Sequence, residues 1–310
     1  MTDLPAALMN YLALRNRLGH ELADAARLLP RFVAWMQATG QSTVTIAAAL
    51  EWSQQPQVGP GSSVGARRMT AVRGFARYLS GIDPATQVPP SGLMKGPRRW
   101  RPPFIYSAAD LAALIAAAGQ LRSHQRAVTY QTFFALLAVT GMRVGEAIRL
   151  DVGDLDGDQG VLLIRQSKFG KSRYVPLHPT STDALRDYCT RRGDYHPAPG
   201  NVSFFVSLTG RRLIYPTVQQ VFRQLRAETG VGAGSARPPR IHDLRHTFAV
   251  TTLLDWYRDG GDVAARLPWL STYLGHRDPK STYWYLSATP ELLATAAARL
   301  EPIIGAAVPR

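Results

Sequence analysis

Apolar positions recur at helical spacing through the first eighty residues. Leu4, Leu8, Tyr11 and Leu12 predict a first helix. Leu28, Phe32 and Trp35 predict a second, in which Pro30 is expected to kink the helix or mark its start. Ser42 is placed to cap a third that runs through Trp52. From about Val64 to Leu79 the pattern is sharper. Val64, Met69, Val72, Phe75, Ala76 and Leu79 fall on one arc, and Arg67, Arg73 and Arg77 fall on the opposite one with Thr70. Arg68 lies within the apolar arc and interrupts it. The cationic arc is either a face laid against phosphates or an ordinary solvated face.

Residues 81–104 change character. Gly81, Pro84, Pro89, Pro90, Gly92, Gly96, Pro97, Pro102 and Pro103 forbid long regular elements. Lys95, Arg98, Arg99 and Arg101 make the stretch basic, with Trp100 among them. It reads as an interdomain linker. Ser107 followed by Asp110 has the form of a capping box and opens a second domain. Phe133 to Val139 predicts a buried helix, and Val161–Arg165 and Arg173–Leu177 predict two short strands around a turn that holds Lys168, Phe169, Gly170 and Lys171. The Gly- and Pro-rich residues 230–239 read as an exposed loop. With at most three strand signals among many helices, the expected class is α+β, mainly helical, with a small antiparallel sheet.

The 310 residues suffice for two domains. Lys and Arg number 36 against 22 Asp and Glu, a net charge of +14, and both halves carry an excess. Such a charge suggests a polyanionic partner, nucleic acid first and an anionic membrane surface second. The alternative is a basic but solvated surface. The single cysteine, Cys189, cannot form an intramolecular disulfide or build a Cys-based metal site; a catalytic thiol is the remaining role for it. There is no secretory signal pattern at the N-terminus and no apolar stretch of membrane-spanning length, so a cytoplasmic location without a membrane partner is expected.

Four short stretches carry candidate chemistry. Thr140-Gly141-Met142-Arg143-Val144-Gly145-Glu146 places an Arg after a buried helix and a Gly turn, either aimed into a cleft with Glu146 holding the turn or simply at the surface. Lys168 at a turn tip is either solvated or able to reach a leaving oxygen and protonate it. In Ile241-His242-Asp243-Leu244-Arg245-His246, His242 and Arg245 share a helix face suited to an anionic oxygen. His246 lies four from His242, but no Glu sits between them in the zincin pattern. Leu274-Gly275-His276 precedes Tyr285 by nine residues. A tyrosine, with a free pKa of about 10, needs cationic neighbours and a proton acceptor before it can attack.

The order Arg, Lys, His-x-x-Arg, Leu-Gly-His and Tyr resembles the tyrosine recombinase (phage integrase) family over about residues 1–300, and the run at 283–289 looks nearest to transposon-associated members. The resemblance implies a helical core-binding domain at 1–88, a basic linker at 89–105 and a catalytic domain at 106–310. It implies that Arg143 and Arg245 grip the non-bridging oxygens of the scissile phosphate. Lys168 then protonates the 5′ oxygen, His242 helps move the tyrosine proton, His276 supports the phosphate, Tyr285 is the nucleophile and Glu146 braces the site. Lys171 rivals Lys168, and Tyr283 rivals Tyr285; the family spacing favours Lys168 and Tyr285. Arg67, Arg73, Arg77, Lys95, Arg98, Arg99, Arg101, Lys171 and Arg173 are candidate DNA contacts. One phosphoester replaces another, so neither cofactor nor metal is implied, and the chain has no Walker-type loop or acidic magnesium cluster.

The implied function is site-specific recombination of double-stranded DNA through a 3′-phosphotyrosine, for mobile-element integration or excision. The implied assembly is a tetramer on two sites, with sister recombinases or accessory DNA-bending proteins as further partners. In that assembly the tail from Pro290 to Leu300 packs on a neighbouring protomer; the alternative is packing on its own chain. A type IB topoisomerase and a non-catalytic DNA-binding protein are the competing readings.

Overall fold

The computed structural model describes residues 2–20, 22–55, 62–94, 102–165, 172–196, 202–276 and 278–287, with positions 292 and 294. Two compact units result, Met1–Arg101 and Pro102–Arg310.

The first unit packs four helices: α1 (Leu4–Arg17), α2 (Ala23–Ala38), α3 (Ile46–Ser53) and α4 (Val64–Leu79). Asp3 caps α1 by accepting from the Ala6 amide at 3.2 Å. Pro30 neither starts nor ends α2, which runs through it. The ring removes one intrahelical hydrogen bond, while Leu29 and Phe32, both fully buried, keep the segment in the core. The cap of α3 is Thr45, not Ser42; its Oγ1 accepts from the Ala48 amide at 3.1 Å. The helix starts later than expected because Val44 is buried and its carbonyl is held by the Gln87 amide at 2.8 Å.

Arg68 explains its own place on the apolar arc of α4. Its guanidinium lies over the Trp52 ring at 5.3 Å, and Nη1 donates to the Trp52 carbonyl at 3.3 Å. On the opposite arc the arginines differ. Arg67 donates from Nε and Nη2 to Asp24, at 3.0 and 2.7 Å. Arg73 donates to the carbonyls of Pro89 and Pro90, at 2.9 and 3.0 Å. Arg77 is exposed. Residues 87–94, read as part of the interdomain linker, are instead fastened to these helices: Gln87 Oε1 accepts from the Ile46 amide at 3.0 Å, and Val88 and Met94 pack against the core.

The second unit begins with the Ser107–Asp110 capping box of α5 (Ala108–Gly119). Next come α6 (His124–Thr140) and α7 (Val144–Arg149), followed by a three-stranded antiparallel sheet in the order β1 (Leu155–Asp156), β2 (Val161–Ile164), β3 (Arg173–Pro176). Four longer helices, one short helix and a turn follow: α8 (Pro179–Tyr195), α9 (Tyr215–Thr229), α10 (Asp243–Arg258), α11 (Val263–Leu274), the short α12 (Lys280–Tyr283) and a 3-10 turn at Trp284–Ser287. In the β2–β3 pairing Val161 faces Pro176 and Ile164 faces Arg173. Arg165 leaves the strand to pair with Asp151 and Asp154.

Helix α6 buries Phe133, Phe134, Leu136 and Leu137, whereas Val139, expected inside, is 49% exposed. A separate cluster joins α10 and α11 to Tyr285 and Leu292. Leu292 is buried in this cluster; positions 290, 291, 293 and 295–300 of the tail lie outside the described residues. Among the described residues no helix is long and apolar enough to cross a membrane.

Candidate active site

The described members of the site come from turns and helix ends of the second unit and, for Arg173, from the start of β3. Helix α6 ends at Gly141, whose φ of +59° is the left-handed conformation glycine tolerates without penalty. The chain then turns through buried Met142 to Arg143, the residue before α7. The Arg143 amide donates to Glu146 Oε2 at 2.9 Å, and its Nη1 donates to Oε1 at 2.7 Å. Nη2 donates to the Gly275 carbonyl at 3.2 Å.

Glu146 has a side chain only 1% exposed and also receives Arg173, through Nη1 at 3.1 Å and Nη2 at 2.9 Å. Burial alone would raise its pKa, but the hydrogen bonds and charge of Arg173, with those of Arg143, hold it at about 2. Arg173 also donates from Nε to the Tyr273 carbonyl at 2.8 Å. This residue, grouped with the DNA contacts on sequence, is an internal brace of the site. The signal that marked it was its place in the Lys-x-x-Lys-x-Arg pattern, which does not say where the guanidinium points.

Helix α10 supplies three groups. His242 stands at its first turn and is exposed; partial burial, then the charge of Arg245, lowers its pKa. Arg245 is 2% exposed and donates to the carbonyls of Gly141 at 2.9 Å and Leu274 at 2.6 Å. Burial, then the positive charge of Arg143, pushes it down to about 10, so it remains a cation at neutral pH. His246 lies one turn further on, its ring 4.9 Å from that of His242 and its buried Nδ1 without a hydrogen-bond partner. Among the described residues no group of three metal-ligating side chains gathers there or elsewhere.

The C-terminus of α11 delivers the last two groups. Gly275 (φ +68°) caps the helix, and His276 follows with its amide on the Ser271 carbonyl at 2.9 Å. His276 Nδ1 shares a hydrogen bond of 2.7 Å with Thr282 Oγ1. Tyr285 is 2% exposed, its ring flanked by His246 at 5.5 Å and His276 at 6.1 Å, and its hydroxyl hydrogen-bonded to Arg245. Burial raises the phenol pKa and outweighs the lowering by Arg245 and Arg143. Tyr283, the rival, is 53% exposed. Both flanking histidines are pushed down to about 4, mainly by burial and then by neighbouring positive charge, so both are neutral at pH 7.

The structure thus gathers Arg143, His242, Arg245, His276 and Tyr285, and adds Arg173, His246 and Thr282, which sequence reasoning left outside the site. Lys168 and Lys171 fall outside the described residues, as do Lys95, Arg98, Arg99 and Arg101. Cys189, on α8, contributes nothing here; burial pushes its thiol up to about 11, which leaves it protonated. Two guanidiniums beside a buried phenol and neutral imidazoles suit the non-bridging oxygens of a phosphodiester, which become equatorial in the five-coordinate transition state of attack.

Comparison with known proteins agrees with this chemistry. The chain is 41% identical over 309 residues to y4rB of Sinorhizobium fredii strain NGR234, named an integrase/recombinase, covering 97% of this chain and 98% of that protein. It is 29% identical over 248 residues to the tyrosine recombinase XerD of Brucella abortus, covering 77% and 76%. In fold it is similar to the Tn1549 transposon integrase solved with transposon right end DNA (TM-score 0.63, 16% identity, 96% and 99% covered). It is also similar to lambda integrase, solved as a tetramer bound to a Holliday junction (TM-score 0.59, 16% identity, 91% and 76% covered). The sequence model of the phage integrase family matches residues 107–291, a span that holds every residue of the site, and the chain belongs to that family, the tyrosine recombinases.

Proposed function

We propose that this chain, a site-specific DNA recombinase, cuts and rejoins duplex DNA through Tyr285. The observation that carries the assignment is the setting of that hydroxyl: it is buried, bonded to Arg245, and ringed by imidazoles that are neutral at pH 7. Tyr283 has no such setting.

In the reaction the Tyr285 oxygen attacks the scissile phosphorus, and the bond from phosphorus to the 5′ oxygen breaks. Arg143 and Arg245 stabilise charge on the non-bridging oxygens, where a planar fork matches two acceptors. Each already has hydrogen bonds to protein carbonyls that fix its direction before DNA arrives. His242 accepts the phenol proton or relays it, which its lowered pKa permits. His276 Nδ1 shares a hydrogen bond with the Thr282 hydroxyl, and in the tautomer protonated on Nε2 His276 presents that proton to the phosphate. Lys168 protonates the departing 5′ oxygen. The product is a 3′-phosphotyrosine ester and a free 5′ hydroxyl, and attack by a 5′ hydroxyl reverses the step. Strand exchange between two sites requires four such centres, so a tetramer on two duplexes is the working assembly. Mobile-element integration or excision is the outcome proposed.

The experiment is covalent trapping. Wild type and Tyr285→Phe are incubated, without added metal, with labelled duplexes spanning the borders of the gene's own genomic locus, then run on denaturing gels. Protein-linked DNA from wild type alone supports the assignment. Equal linkage by Tyr285→Phe, or none from wild type on a duplex it binds specifically, overturns it.

A further inference from the structure

Arg173 opens β3, at the turn end of the β2–β3 pairing, where a basic residue invites assignment to the DNA backbone. Its surroundings contradict that assignment. The side chain is 10% exposed. Nη1 and Nη2 both bind Glu146, and Nε binds the Tyr273 carbonyl. A Cβ at Gly275 would come within 2.9 Å of its Nη1, so the guanidinium also lies directly under the turn that leads to His276. Glu146 in turn grips Arg143 through both the amide and Nη1, and Arg143 Nη2 reaches the Gly275 carbonyl. One guanidinium therefore joins the loop that carries Arg143 to the loop that carries His276.

We infer that Arg173 is a positioning residue that, given the tyrosine recombinase reading above, aligns Arg143 through Glu146 and the His276 turn through the Tyr273 carbonyl, and does not contact DNA. A lysine at this position keeps the charge but not the fork, because an ammonium cannot span both carboxylate oxygens and a carbonyl in one plane. Misplacement of a catalytic group by about 1 Å costs on the order of a hundredfold in rate.

The test uses the full chain and a duplex that the wild type links covalently. Arg173→Lys and Arg173→Gln are compared with wild type for duplex affinity and for single-turnover cleavage at saturating protein. Affinity is expected within about threefold of wild type, while the cleavage rate falls roughly a hundredfold. On a duplex with a neutral methylphosphonate at the scissile position, where the arginines have less charge to neutralise, the deficit should shrink to about tenfold or less. Arg173→Lys preserves a cation beside Glu146, so it reports even where Arg173→Gln fails to fold.

Weakened affinity with a shallower salt dependence and an unchanged saturated rate would make Arg173 a phosphate contact and overturn the inference. Equal deficits on both substrates would exclude action through Arg143 and overturn it too. A wild type that links no duplex fails one step earlier and removes the underlying assignment together with this one.

Discussion

The phenol ring of Tyr285 lies nearly parallel to the imidazole of His276, 19° apart in plane and 6.1 Å between centroids. His246 also approaches that ring, at 60° and 5.5 Å. The Tyr285 phenol is therefore held as a packed ring, and its hydroxyl position follows from where those two imidazoles sit. His276 is set by one hydrogen bond from Thr282, and Thr282 itself is 1% exposed on the short helix α12, three residues before Tyr285. A small hydroxyl at this spacing thus reaches His276 and, by way of its ring, Tyr285.

Thr282→Val tests that link, because it keeps the shape and deletes the hydroxyl. A net hydrogen bond contributes about 1 kcal/mol, and each 1.4 kcal/mol in a barrier is about tenfold in rate. Single-turnover cleavage is expected to slow by roughly fivefold, with duplex affinity unchanged. A rate equal to wild type would mean that the Thr282 contact does not orient His276.

The flanking imidazoles predict a pH dependence of stability. His246 and His276 titrate at about 4 in the folded chain, against an ordinary value of 6.5. Between these limits the unfolded chain binds more protons, so stability falls as pH drops from 6.5 toward 4 and is flat with respect to these groups above that range. Glu146 acts lower: its contribution is complete above 4.5 and is lost as pH falls toward 2. Thermal midpoints measured from pH 7.5 to 5 should decline on acidification, and His246→Asn/His276→Asn should flatten the decline. An unaltered slope in that variant would assign the effect to other groups.

Arg73 and Arg77 share one arc of α4 yet predict opposite phenotypes. Arg73 is committed to the Pro89 and Pro90 carbonyls, and hydrogen bonds from charged donors contribute about 1.5–3 kcal/mol before allowance for partial exposure. Arg73→Ala should therefore lower stability by about 1 kcal/mol in urea denaturation. Arg77 is exposed, so Arg77→Ala should leave stability within about 0.5 kcal/mol. It should instead weaken duplex binding and reduce the salt slope by about one. The reverse pattern would remove Arg77 from the DNA-facing set.

These two arginines also show what a sequence can and cannot reveal. The period of α4 and the capping box of α5 are local, and both were legible from side chains a few positions apart. The two hairpin strands were legible for the same reason, each to within a residue at its end. The grouping of Arg143, Arg245, His276 and Tyr285 was legible only as an ordered motif, since their mutual approach depends on chain segments more than a hundred residues apart. What stayed hidden is what depends on a partner. Thr45 replaces Ser42 as a cap because Gln87 holds Val44. Arg173 turns inward because a buried Glu146 awaits it. Leu292 joins its own unit because α10 and α11 leave an apolar place for it.

Gly141 gives the most direct test of how the fold aims Arg143 and Arg245, the two arginines proposed to bind the phosphate. It turns the chain from α6 into Arg143, and its carbonyl receives Arg245 Nη1. Alanine there meets two penalties. A left-handed φ of +59° costs a residue with a Cβ about 1–2 kcal/mol, and that Cβ would fall 2.6 Å from Cδ1 of Phe248. Phe248 stacks on Tyr273 at 5.5 Å, so displacement passes to the residue whose carbonyl anchors Arg173. Gly141→Ala is expected to lose about 2 kcal/mol or more of stability. Cleavage should fall further than unfolding explains, at temperatures where the variant is still folded. Gly145→Ala is the control: it lies in α7, and its Cβ would meet only the Arg149 side chain, at 3.4 Å. Helix propensity there favours alanine by up to about 1 kcal/mol, so this variant should be as stable as wild type or more so. If the two substitutions behave alike in urea denaturation, the left-handed turn is not what sets the arginines.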